Sequence, residues 1–543
     1  MADESQPPRQ TWPEDFARRY REKGYWAGES FGDMLRRLAE AHPDRIAVVG
    51  GETRLSYGDL LAQAERAAHG FLGLGLAPGD RVIVQIPNIA GFFPAVFGLF
   101  LAGLIPVYAL PAHRQTELAH FARRSGAKAL VVADRLDGFD YRPLARMVRD
   151  EVPELRHLVV IGQAEGLIPF DSLQGSGPLP RVDASSVAFM QISGGTTGLS
   201  KLIPRTHDDY IYSFRESAAI CGLDEGSVYL CALPAAHNFP MSSPGVFGTL
   251  AAGGRVVMSP NPTPATAFAL IERERVTITG LVPPLALLWM QAAANTPHDL
   301  SSLKILQVGG AKFTPEAAAR VKPALGCTLQ QVFGMAEGLV NYTRPDDPED
   351  IIVNTQGRPI SGDDEVLILD DSGQPVPDGT PGHLLTRGPY TIRAYHNEPA
   401  ANARSFTPDG FYRTGDIVKR LPGGYLSVQG RAGDHINRAG EKISAEEIED
   451  HLLAHPAVFD AAVVSIPDAF LGERSCAFIV PKGEKPKPVE IKAFMRGRGL
   501  AEFKVPDQVV FVTEFATTAV GKVSRNTLRA ELRARYLEEE AAK

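Results

Sequence analysis

An α/β chain of two domains is what this sequence predicts: a large N-terminal multi-sheet α/β domain and a small α+β C-terminal one. Three observations predict it. The chain has 543 residues, more than one hydrophobic core supports. Short apolar runs alternate with helical patterns through most of it, as layered α/β units with largely parallel sheets require. After Arg431 the texture changes to that of a compact α+β unit. The expected division is 1–433 and 434–543. Apolar residues at 44% and charged residues at 22% fit a globular chain, not a disordered one.

The elements follow in order. The opening "MADESQPPRQ" is polar and lacks the apolar core of a signal peptide, so residues 1–27 are expected to form a partly extended tail. "YGDLLAQAERAAHGFLGLG", 57–75, reads as an amphipathic helix. "DRVIVQIPN", "KALVVAD" and "LRHLVVIG" read as strands. "AGFFPAVFGLFLAGLIPVYALP", 90–111, is long enough to span a bilayer, but Pro94, Gly103 and Pro106 interrupt it. It is expected to be a buried helix followed by a buried strand. "LKILQVGGAKF" is a strand that runs into a Gly-Gly turn, and from about Gly382 short strands and turns dominate. In "SAEEIEDHLLAHPAV" a serine followed three residues later by glutamate marks a helix start. His451 and His455 are expected on one face of that helix, as ordinary surface. "DAAVVSIPD" reads as a strand and "KPVEIKAFMRGRGL" as a helix.

The net charge of -8 is interspersed, with no basic field to draw nucleic acid or an anionic membrane. The four cysteines, at 221, 231, 327 and 476, form no CxxC pair. They suit reduced thiols of a cytoplasmic protein.

"SGGTTGLSK", Ser193 to Lys201, cannot form a stable helix interior and buries little apolar surface. Its glycines let backbone N–H groups converge on an anion, Ser193, Thr196 and Thr197 add hydroxyl donors, and Lys201 adds charge. That suits a triphosphate. It is neither the adjacent Gly-Lys-Ser/Thr of P-loop enzymes nor the GxGxxG of dinucleotide folds. By itself it is equally a surface loop. It is joined by "QVFGMAEG" at 331–338, "FYRTGD" ending at Asp416, "GRAGDHINRAGEKI" at 430–443 and "TTAVGKVSRNTLR" at 517–529.

In this order and at these separations the motifs resemble the adenylate-forming superfamily: acyl-CoA synthetases, luciferases and the adenylation domains of peptide synthetases. The resemblance covers roughly residues 30–535. "PAAHNFPMSSPGVFGTLAAGGRVV", with "IPRTHDDY" and "QQVFGMAEGLVNYTR", is similar to the aryl-acid-activating branch, whose stand-alone ligases activate 2,3-dihydroxybenzoate for siderophores. Ser200 stands where a proline is common, and Phe239 where a tyrosine is usual.

The resemblance implies ATP-dependent activation of 2,3-dihydroxybenzoate or salicylate to aryl-AMP with loss of pyrophosphate. Transfer to the phosphopantetheine thiol of a separate aryl carrier protein follows. About 20 residues follow Lys522, too few for a carrier domain, so the carrier is expected in trans. The alternative is a CoA ligase for a benzoate-type acid. A non-catalytic binding protein that keeps the fold is disfavoured by the retained charged groups.

The resemblance also assigns residues. Lys522 is the catalytic lysine, and His237 stands between acid and phosphates. Asn238 and Ser243 would bond ring hydroxyls, with Ser243 able to pair with a 3-hydroxyl, and Gly310 and Val340 would line the ring. ATP would lie on Ser193, Gly194, Gly195, Thr196, Thr197, Gly198, Lys201, Gly310, Val332, Phe333, Gly334, Ala336, Asp416, Arg431, Lys442 and Lys522. Asp416 would grip the ribose, with Arg431 beside it. Glu337 would help place Mg²⁺, and Asp434 is the hinge about which the mobile small domain rotates.

Overall fold

The computed structural model describes residues 12–193, 200–310, 313, 315–431, 435–513, 533–534 and 536–538. Within them the strands form four large sheets. Strands Arg81–Gln85 and Ala129–Ala133 are buried at every residue and lie at the middle of a seven-stranded sheet. Continuous apolar runs of this kind are what a parallel sheet covered on both faces needs. Its parallel core runs from Val187–Ile192 through Ile105–Tyr108 and Arg81–Gln85 to His157–Ile161, and Leu202–Thr206 closes one edge antiparallel.

A nine-stranded sheet packs beside it. Six of its strands are parallel, from Ile46–Gly50 to Thr328–Met335, and Gly338–Tyr342 then turns back antiparallel. Helix Phe92–Leu101 is buried at all ten positions and lies in the core that joins the two sheets. This is the apolar stretch at 90–111, and strand Ile105–Tyr108 follows it as expected. Pro94 sits in the first turn, where a missing N–H costs no hydrogen bond. Among the described residues no helix is long and apolar enough to cross a membrane.

Capping boxes start three helices of this unit: Ser30 with Asp33, Ser56 with Asp59, and Thr206 with Asp209. A four-stranded antiparallel sheet, Glu365–Leu369 to Leu426–Arg431, follows. The last sheet is built on the long hairpin of Val458–Asp468 with Gly472–Pro481. Helices Ala445–Leu453 and Pro488–Gly497 pack on it around Ile448, Leu452 and Ile491.

The structure adds to one expectation and corrects another. Within the segment expected to be a partly extended tail, Glu14–Glu22 is a helix, with acidic residues in its first turn and basic ones in its last. Trp12, Tyr20 and Trp26 are buried, and Trp26 Nε1 donates to the carbonyl of Pro389 at 3.0 Å. Three large aromatics in fifteen residues bury enough area to order a segment that is polar elsewhere. His451 and His455 do not share a helix face. The helix ends at Leu453, and His455 Nδ1 accepts the N–H of Ala457 in the turn beyond.

Trp26→Ala removes a buried indole and is expected to cost about 3–5 kcal/mol of stability. A chemical denaturation midpoint equal to wild type would show that this segment is not part of the core.

Candidate active site

The site begins with a strand register. Thr328–Met335 runs parallel to Ile305–Gly309, so Val332 lies beside Gly309. It runs antiparallel to Gly338–Tyr342, so Gly334 lies opposite Val340. Gly310 follows directly with φ +84°, a left-handed turn that suits glycine. One cleft edge therefore holds Gly310, Val332, Phe333, Gly334, Ala336, Glu337 and Val340. The cleft has a volume of about 300 Å³.

His237 and Asn238 enter from the start of a short helix, Asn238–Ser242. His237 is its N-cap, and its Nδ1 accepts the Phe239 N–H at 3.4 Å. Asn238 Oδ1 accepts the Tyr210 hydroxyl at 2.9 Å, which fixes the amide group. Ser243 is buried at the end of this helix and lines the same cleft. Phe239 lies beneath: a Cβ built on Gly280 or Gly309 would meet its ring at 3.2 Å.

The phosphate side is anchored at both ends of the glycine-rich stretch. Ser193 N–H donates to the Lys201 carbonyl, and Lys201 N–H donates to Ser193 Oγ, both at 2.9 Å. Gly194, Gly195, Thr196, Thr197 and Gly198 lie outside the described residues. Lys201 Nζ sits 4.8 Å from the centre of the Tyr395 ring, and the Tyr395 hydroxyl donates to Glu337 Oε1 at 2.9 Å. Burial pulls the Lys201 pKa down, while the Glu337 charge opposes that shift. Cation, ring and carboxylate form one connected group that reaches the cleft through Glu337.

Asp416 lies directly across from Arg431 in the register of strands Tyr412–Arg420 and Leu426–Arg431. Its backbone N–H donates to Thr414 Oγ1 at 3.0 Å. The wall near Ala336 is held from behind. Arg205, 2% exposed, pairs with the fully buried Asp209 and donates to the carbonyls of Ala336 at 2.8 Å and Tyr390 at 3.0 Å.

The cleft's other side is the small α+β unit, which contributes Asn437, Gly440, Glu441, Phe503 and Lys504. Gly440 faces the Gly310 turn: a Cβ built on Gly310 would lie 3.8 Å from its Cα. Burial pushes Glu441 up to about 7, against the pull of Lys504. Lys442 lies in strand Glu441–Ser444, one residue past this wall. Lys522 and Asp434 lie outside the described residues. The sequence reading misses Tyr395, Gln191, Gln356, Phe503 and Lys504, which belong to no recognised motif.

A large α/β unit whose cleft is roofed by a small α+β unit defines an adenylate-forming enzyme. The chain belongs to the AMP-binding enzyme family: that family's model matches residues 35–396, and the model of the AMP-binding enzyme C-terminal domain matches 447–522. Members of this family use ATP. The chain is 59% identical to the 2,3-dihydroxybenzoate-AMP ligase of Bacillus subtilis (strain 168), over 97% of this chain and 98% of that protein. It is 47% identical to a Streptomyces salicylyl-CoA synthase / salicylate adenylyltransferase, over 96% and 97%. Among solved structures, the apo structure of Mycobacterium smegmatis MbtA matches with a TM-score of 0.75 and 47% identity, covering 97% of this chain and 98% of that one.

Arg205→Met leaves Asp209 buried without its ion pair and frees the Ala336 carbonyl. It is expected to destabilise the fold by about 3–5 kcal/mol in denaturant titrations. A change below about 1 kcal/mol, the size of a surface pair, would deny Arg205 this anchoring role.

Proposed function

We propose that this chain activates 2,3-dihydroxybenzoate with ATP and hands the aryl group to the phosphopantetheine thiol of a separate aryl carrier protein. The observation that carries this is one cleft with two walls of different chemistry. Asn238, its amide fixed by Tyr210, and Ser243 offer hydrogen-bonding groups beside the apolar Val340, while Ser193, Ser200, Glu337 and Asp416 line the polar part of the same cleft. The 59% identity to a 2,3-dihydroxybenzoate-AMP ligase supports the choice of acid.

In the first step a carboxylate oxygen attacks the α-phosphorus. The bond from that phosphorus to the β-phosphate oxygen breaks, and pyrophosphate leaves. Two anions meet, so donors and cations must carry the transition state. Lys522 bridges carboxylate and α-phosphate, Ser193, Lys201 and the loop between them hold the phosphates, and His237 stands between acid and phosphate. Val332, Phe333, Gly334 and Ala336 border the adenine, and Asp416 with Arg431 grips the ribose. Mg²⁺ fits this donor set: a single carboxylate, Glu337, with substrate phosphates is its usual mode of binding. It supplies charge neutralisation on the triphosphate.

In the second step the thiol sulfur attacks the acyl carbon, the mixed anhydride C–O bond breaks and AMP leaves with the phosphate electrons. Residues 434–543 turn about Asp434 to admit the thiol, and Lys442 moves with them. The approach of Gly440 to Gly310 supports reading the described arrangement as the transfer-ready one. Four free, buried cysteines suit a cytoplasmic setting.

A second reading, a CoA ligase, is favoured by the similarity to a protein whose name includes salicylyl-CoA synthase. Trapping the preformed aryl-AMP with free CoA against a holo carrier protein separates the two. Transfer to the carrier alone supports the first reading, and equal or faster transfer to CoA supports the second.

Lys522→Ala and Gly440→Ala are expected to fail in opposite steps. The first should cost adenylation about 3–4 kcal/mol and largely spare transfer. The second adds a methyl 2.6 Å from Val282 Cγ1 at φ +91°. It should slow transfer about tenfold or more through strain of roughly 1–3 kcal/mol, and affect pyrophosphate exchange less. Parallel losses in both steps for either variant would contradict these roles.

Ser243→Ala should weaken 2,3-dihydroxybenzoate by about 1–3 kcal/mol while sparing salicylate. A uniform loss for both acids would assign Ser243 to the fold alone.

A further inference from the structure

The small unit also meets the large one along the rim of this cleft, where Glu447 and Lys504 belong to its lining and Glu117 lies just behind them. Helix Gln115–Ser125 of the large unit presents its first turn to residues 498–504. Thr116 Oγ1 donates to the Arg498 carbonyl at 2.6 Å, and Glu117 Oε1 accepts the Ala501 N–H at 2.9 Å. Lys504 Nζ lies 3.4 Å from Glu117 Oε1 and 2.9 Å from Glu447 Oε1. Glu117 is 4% exposed and Lys504 6%.

The charges fit a working pair. Burial opposes ionisation of Glu117, but Lys504 and the N–H groups of Ala501 and Arg114 outweigh it and hold the carboxyl below its ordinary value. Burial also opposes the Lys504 charge, and Glu447 and Glu117 outweigh that and raise it. The partners differ in kind. Glu447 and Lys504 belong to the same small unit and move together. Glu117 is on the other unit, so its bonds to Lys504 and Ala501 exist only in the orientation that brings Gly440 to the cleft. Any rotation of the small unit breaks them and leaves Lys504 with Glu447.

We propose that Glu117 and Lys504 form a latch that positions the small unit for the thiol-transfer half-reaction. Glu117 is not part of the cleft lining, whereas Lys504 lines it beside Gly440 and Glu441, so Glu117 acts through Lys504 as a positioning residue. The inference rests on the two-step reading above.

Glu117→Gln tests it. The amide oxygen can still accept the Arg114 N–H that caps the helix, while the charge is lost. Single-turnover transfer from preformed 2,3-dihydroxybenzoyl-AMP to a holo carrier should fall about tenfold or more, with acid-dependent pyrophosphate exchange within about twofold of wild type. In a cycle with Lys504→Gln, the double variant should transfer no more slowly than the worse single variant. Thr116→Val, a milder break of the same contact, should slow transfer by roughly threefold and serves if Glu117→Gln does not fold.

A readout independent of activity is the distance between spin labels on Glu52→Cys and Glu484→Cys, both exposed, with the four native cysteines buried. Glu117→Gln should move that distribution away from the wild-type one. Equal losses in both half-reactions, or wild-type transfer with an unchanged distribution, would overturn the latch. If the unmodified enzyme shows no acid-dependent exchange, the two-step reading fails instead, and the label distances alone decide the latch.

Discussion

One strand register determines the cleft. Thr328–Met335 lies parallel to Ile305–Gly309 on one side and antiparallel to Gly338–Tyr342 on the other. That pairing brings Gly310, Val332, Gly334, Glu337 and Val340, spread over thirty residues of chain, to one edge. A slip by one residue would turn each side chain to the opposite face and erase the cleft. The glycines matter because this edge is crowded. Phe239 fills the space beneath Gly309, and Gly440 comes against Gly310 from the small unit.

Buried charge then stiffens what the register places. Arg205 and Asp209 lie behind the Ala336 wall, both nearly without solvent, and the guanidinium ties two backbone carbonyls to the ion pair. Lys201, the Tyr395 ring and Glu337 make a second group, which reaches the cleft through Glu337. Lys504 with Glu447 and Glu117 makes a third where the two units meet. Each is costly to desolvate and tolerable only because its partners are fixed. Only the third crosses between the units, so it is the group on which a rotation acts.

Much of this is legible in the sequence, and the illegible parts have physical reasons. The parallel strands read clearly because burial on both faces makes them continuous apolar runs, as in "KALVVAD". Helix Tyr57–Gly73 reads clearly from its period, and the Ser56–Asp59 cap that starts it is seen in the structure. Asp416 and Arg431 are paired in the sequence only by the family resemblance, and the register of a short hairpin sets them opposite each other. The helix at Glu14–Glu22 is hidden because its order comes from tertiary burial of Trp12, Tyr20 and Trp26, while its own residues are mostly charged. Glu117 and Lys504 are hidden because nothing periodic links residues so far apart in the chain. Tyr395 is hidden because a tyrosine under a lysine looks like any core aromatic until the ring and the ammonium are placed together. For Lys522, Asp434 and 194–199, the motif alone carries the assignment.

In the proposed function one wall of this cleft reads the hydroxyls of an aryl acid and the other a nucleotide, so exchange of pyrophosphate into ATP requires the right acid. The most direct measurement is ATP–pyrophosphate exchange with 2,3-dihydroxybenzoate, salicylate, benzoate and 3-hydroxybenzoate supplied in turn. Exchange is expected to be fastest with 2,3-dihydroxybenzoate, clear with salicylate, and much weaker with the two acids that lack a 2-hydroxyl. Exchange that is equal for all four acids, or that proceeds without any acid, would contradict it.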